Sequence, residues 1–143
     1  TVAHSITLSL AALEVVSLPS RLVEAAIAFS VILAAANNLW PLVQGRRWLV
    51  AFGFGLIHGF GFASVLSDLG LPKEPLVPSL LGFNVGVEMD QLAIVSVFLP
   101  LAYLLRNSRF YRKGVFVGGS ILTLVIALIW FVERAFDLKL IGA

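Results

Sequence analysis

The chain has 143 residues, of which 59% are hydrophobic and only 13% charged, with a mean hydropathy of +1.00 and a formal net charge of +2. Soluble domains carry about a quarter charged residues, so this balance excludes an ordinary water-soluble globule and predicts an all-α integral membrane protein. Cysteine is absent, which removes disulfides and thiolate metal sites; the pI near 9.4 reflects bases placed between apolar runs, so nucleic acid is not an expected partner.

Five apolar runs approach or reach the ~20 helical residues that cross a bilayer: about 2–16, 22–40, 48–66, 79–105 and 114–136. None alternates in polarity as a barrel strand does. Residues 1–143 therefore read as one transmembrane helical domain of about five spans. The first run is the shortest and starts at Thr1 without a methionine, so a missing upstream helix is expected. No basic segment precedes it, which argues against a signal peptide. His4, Thr7, Ala11 and Glu14 share one face of this run, but His4 and Glu14 lie ~15 Å apart along the axis and suit successive stations, not one site. In the second run, Glu24 follows Ser20 and Arg21 in the first turn, where a carboxylate suits the helix dipole. Ser30, Asn37 and Asn38 are its other polar groups, the two asparagines being expected to cap the last turn.

The third run carries the most informative segment, AFGFGLIHGFGFAS from Ala51 to Ser64. Ala51, Gly55, Gly59 and Ala63 recur every four residues and form a ridge against which a neighbouring backbone can pack closely. His58 stands in the middle of it. A buried imidazole in hydrocarbon needs a partner, so it is a candidate site residue, although packing glue between helices is the plainer alternative. In the fourth run Asn84, Glu88 and Gln91 fall at i, i+4 and i+7 on one face, and Gly82 and Gly86 predict a second close helix contact. Glu88 needs a cation, a proton or a donor there, and Asn84 and Gln91 can offer carbonyl oxygen. Asp90 points about 200° away from Glu88, so these two carboxylates cannot pair. Pro100 is expected to kink this span or mark its last turns. The fifth run ends in Glu133 and Arg134 at the interface.

Five spans put the 41–47 and 106–113 connections, with Arg46, Arg47, Arg106, Arg109, Arg112 and Lys113, on one face, predicted to be cytoplasmic. All eight acids (Glu14, Glu24, Asp68, Glu74, Glu88, Asp90, Glu133 and Asp137) fall toward the opposite face, where carboxylates would concentrate cations. Asp68, Glu74 and Asp137 read as solvated charges.

The blocks AHSITLSLAAL from Ala3, PSRLVEAAIAFSVILAAANN from Pro19, FGFGLIHGFGFASVL from Phe52, GFNVGVEMDQLA from Gly82 and WFVERAF from Trp130 together resemble the HupE/UreJ family of hydrogenase/urease accessory proteins. The resemblance runs over essentially the whole chain. It implies a bacterial inner-membrane permease for nickel or a related divalent cation such as cobalt, supplying metalloenzyme maturation, with His4, His58, Asn84 and Glu88 at matching motif positions and Gln91 as a secondary metal ligand. Such proteins usually carry a preceding helix rich in histidine and aspartate, in agreement with the missing upstream helix, and Met89-Asp90 stand where a less polar pair is expected. No tightly bound cofactor is implied; the cation is cargo, and imidazole with oxygen ligands suits nickel, zinc or copper without selecting one. The expected partners are the bilayer, the cation and metalloenzyme-maturation proteins, with a homo-oligomer left open. The alternative is a non-transporting membrane scaffold for metalloenzyme assembly. An enzyme is not expected, because Ser64 stands six residues from His58 on a different face and no glycine-flanked nucleophile is present.

Overall fold

The helices stop where the backbone is given a reason to stop. The computed structural model describes residues 2–68 and 76–138, and side chains within 2–62 and 78–138; the expectations for Ala63, Ser64, Asp68 and Glu74 lie outside the described residues or side chains. Helix α1 (Val2–Ala12) ends sooner than its apolar run, because Glu14 adopts a left-handed φ of 56° and the amides of Val15 and Val16 fold back onto the Leu10 carbonyl. Helix α2 (Ser20–Leu39) halts before Pro41, and Asn37 Oδ1 accepts from the Val43 amide at 2.8 Å to secure the turn. Asn38 does not cap: it reaches across to α5. Helix α3 (Arg47–Asp68) and helix α4 (Leu76–Leu105) follow, the latter running on through Pro100. A π-helical segment π1 (Phe110–Gly118) leads without a break into α5 (Gly119–Phe136), so the last rod begins four residues before the expected 114 and takes Arg112 and Lys113 into its first turns.

No strand occurs among the described residues, and the all-helical class holds. The segments Ser20–Leu39, Pro78–Leu105 and Phe110–Phe136 are long and apolar enough to cross a membrane. Helix α1 is apolar but, at 11 residues, reaches only ~16 Å; the 22-residue α3 reaches ~33 Å, about the thickness of the hydrocarbon core. With this composition and family of helices, the protein is a membrane protein.

Two helix pairs make up the bundle. α2 packs along α5 and α1 along α3, and the pairs meet where α2 touches α3. Small residues line the seams: Ala28, Ser30 and Ala35 of α2 and Ser120 and Ala127 of α5 are all buried, so dispersion and close backbone approach hold the pairs together in a lipid solvent. At one end of the α2–α5 pair the Arg134 guanidinium meets Glu24 at 2.6 Å, while Arg21 donates to the carbonyls of Arg134 and Ala135 at 2.8 and 2.7 Å. Arg21 thus caps the C-terminus of α5, and Glu24 pairs with Arg134 in place of its near neighbour in sequence.

The glycine ridge of α3 does what its spacing predicts. A Cβ built on Gly55 would lie 3.0 Å from that of Ala3, and one on Gly59 would collide with Thr7 Oγ1 and stand 2.5 Å from the His4 carbonyl oxygen. Gly82 and Gly86 do not form the close contact expected of them: a Cβ at either would find nothing within 4 Å. Helix α4 instead meets the bundle through Leu80, packed on the fully buried Leu8, and through Phe83, 5.6 Å from the Phe62 ring. Those bulky contacts hold its backbone away, and most of α4 beyond them is exposed apolar surface suited to lipid.

Candidate metal site

His4 and His58 reach one cavity. It measures about 680 Å³, lies between α1, α3 and α4, and is lined on the α4 side by Phe83, Gly86, Val87, Asp90 and Gln91. His4 gets there because Gly55 and Gly59 let α1 lie against α3, so the first turn of α1 sits level with the middle of α3.

The two imidazoles are prepared differently. His58 Nδ1 donates to the Phe54 carbonyl at 2.8 Å, one turn back on its own helix. A carbonyl can only accept, so Nδ1 carries a proton and Nε2 is the nitrogen that could bind a ligand. A backbone carbonyl is the usual second partner of a metal-binding histidine. His4 is 8% exposed, and both its ring nitrogens are sealed from solvent with no hydrogen-bond partner among the described residues. Its ring stands edge-on to Phe62 at 5.0 Å between centroids. An unsatisfied buried imidazole is expensive, and Asn84 is the polar side chain beside it; because both nitrogens are covered, a ligand in the cavity would reach them only once the ring turned.

The polar groups of α4 divide between two places. Asn84 Oδ1 accepts from Ser5 Oγ at 2.9 Å, tying α4 to α1 beside His4. Gln91 lines the imidazole cavity. Glu88 does not join His58: it lines a separate hollow with Val2, Ser5, Ile6, Ser9 and Leu10 of α1. The carboxylate that the structure brings to the histidines is Asp90. The helical period accounts for both, since residues two apart diverge by about 200°. A signal for Asp90 was present in the sequence, because Phe83, Val87 and Asp90 follow i, i+4, i+7 and Phe83 is the bulkiest anchor on that helix. Among the described residues, no three His, Asp or Glu side chains come close enough to enclose a metal ion. The arrangement is an open, sparsely liganded chamber, which suits a passing cation better than a structural one.

A second cavity, of about 550 Å³, lies on the other side of His58 between α2, α3, α4, π1 and α5. Ser30, Asn38, Ser120 and Thr123 contribute its polar groups, and Asn38 Nδ2 donates to Ser120 Oγ at 3.3 Å.

The acidic face is less free than charge counting suggests, since Glu24 and Asp137 are engaged by Arg134 and Arg21. Neither the curated proteins nor the solved structures compared with this chain match it. A family model described as HupE / UreJ protein matches residues 1–134, nearly the whole chain, and the protein belongs to the HupE/UreJ family.

Proposed function

We propose that this protein is a permease for nickel or a related divalent transition-metal cation, cobalt included, in the bacterial inner membrane, supplying metalloenzyme maturation. The family is generally one of nickel/cobalt accessory or transport proteins. The observation that carries the finer reading is that two imidazoles, His4 from α1 and His58 from α3, line one cavity, with His58 Nδ1 tied to the Phe54 carbonyl. Imidazole nitrogen with amide and carboxylate oxygen is a borderline ligand set that takes these cations and releases them.

In this reading His4 and His58 are the principal ligands, and Asn84, Gln91 and Asp90 supply oxygen. Glu88, in the neighbouring hollow beside Ser5, draws the cation toward them. The basic 41–47 and 106–113 loops face the cytoplasm, and the cation approaches from the acidic side. The cation is cargo, with no resident metal.

The test is nickel and cobalt uptake by the full-length protein in proteoliposomes, at matched protein content. His58→Ala and His4→Ala should each lower uptake severalfold, while Arg109→Gln, at the exposed start of π1, should not. Glu88→Gln should weaken uptake mainly at low cation concentration, as expected of a capture group, whereas Asp90→Asn should lower the maximal rate as well. Equal rates in the unmodified protein and both histidine variants would remove the imidazole cavity from the pathway. A full-length protein that moves no metal would favour the scaffold reading.

A further inference from the structure

A second cavity lies below His58, apart from the imidazole chamber. Phe54 and His58, one turn apart on α3, line both it and the imidazole chamber, so these two side chains are the wall between two spaces. On the far side His4 is gone, and apart from the His58 partition itself every polar side chain is a hydroxyl or amide. Ser30 lines this space, is 2% exposed and spends its proton on the Ile27 carbonyl at 2.7 Å, so its oxygen is left as an acceptor. Ser120 Oγ already accepts from Asn38, leaving the Asn38 Oδ1 and the second Ser120 lone pair for another donor or a cation. Helix order fixes the direction of this space. Asn38 lies one turn from the end of α2 and Tyr111 in the first turn of π1, so the cavity runs from mid-depth toward the basic loops.

We propose that this lower cavity is a water-filled exit chamber, open to the basic-loop side and closed from the imidazole chamber by Phe54 and His58, in which Ser30, Asn38 and Ser120 form an oxygen-only station for the divalent cation. The station's transport role rests on the permease reading; the chamber and its partition do not. Oxygen ligands hold borderline transition metals more weakly than imidazole does, so passing His58 moves the cation from nitrogen to weaker oxygen and water, the order that release requires. The mostly apolar remainder of the wall offers nothing to hold it longer.

The cysteine-free chain makes the test direct. Ala34→Cys and Val87→Cys, placed singly in the full-length protein in oriented vesicles, are exposed to a membrane-impermeant thiol reagent from the basic-loop side. Ala34, which lines only the lower cavity, should react; Val87, which lines only the upper one, should be protected. Adding Phe54→Ala should expose the cysteine at 87 by breaching the wall. An inert cysteine at 34 would overturn the chamber, and one at 87 that reacts before the wall is breached would overturn the partition. For the station, Ser120→Ala and Asn38→Leu should reduce nickel flux severalfold while equilibrium nickel binding, measured by calorimetry, is retained. Unchanged flux in a protein that transports would overturn the station alone. Labelling as expected in a protein that moves no nickel would uphold the chamber and sink the permease reading.

Discussion

At the scale of single residues, glycine position decides packing more than glycine count. Gly59 sits where an added methyl would press on the His4 carbonyl, a backbone atom that cannot turn aside. Gly59→Ala should therefore destabilise the protein by about 1–3 kcal/mol, read as a lower melting temperature in detergent. Gly82→Ala meets open space and should be neutral or slightly stabilising, since alanine favours a helix over glycine by about 0.5–1 kcal/mol. Equal melts for the two variants would remove the α1–α3 ridge from the account. Both glycines belong to four-residue repeats that look alike in sequence. What separates them is whether a second backbone lies opposite, and that information sits in α1, some fifty residues from Gly59.

At the scale of elements, the α2–α5 pair is the most completely joined part of the bundle. Its small residues interlock, Asn38 bonds to Ser120, and its opposite end carries the Arg21 cap and the Glu24–Arg134 ion pair. The cap satisfies carbonyls that a helix C-terminus leaves open. Arg21→Ala should cost about 1 kcal/mol, kept modest because the guanidinium is half exposed and exposed ion pairs contribute little. Circular dichroism of the melt should show the loss, with Arg46→Ala, an exposed position in the 41–47 connection, unchanged as the control. Helix α4 is the reverse case. It touches the rest through Leu80, Phe83 and Asn84 along one edge. Its amides should exchange deuterium in detergent before those of α2 and α5, and Phe83→Ala should widen that difference. Uniform exchange across the three helices would contradict this packing.

At the scale of the whole molecule, the reading of function depends on which residues share a space. Composition and run length alone determined the membrane class, the helical architecture and the approximate limits of the helices, because a lipid solvent imposes length and apolarity on every span. The ordered motif blocks determined the family. His4 and His58 were legible as candidates for the same reason: an imidazole in an apolar run has no cheap local explanation. The partners of those histidines were not legible. The 84/88/91 face of α4 was the natural choice from polarity, yet the contact face runs through Phe83, Val87 and Asp90, and Glu88 opens onto another hollow. Likewise the asparagines at the end of α2 looked like caps, and only Asn37 acts near the turn. A helix displays polar groups at every azimuth, and its own sequence contains no zero for that angle. The zero is set by the bulkiest side chains that find a neighbour, here Leu80 and Phe83 against α1 and α3, so only the tertiary structure could decide which carboxylate faces the imidazoles.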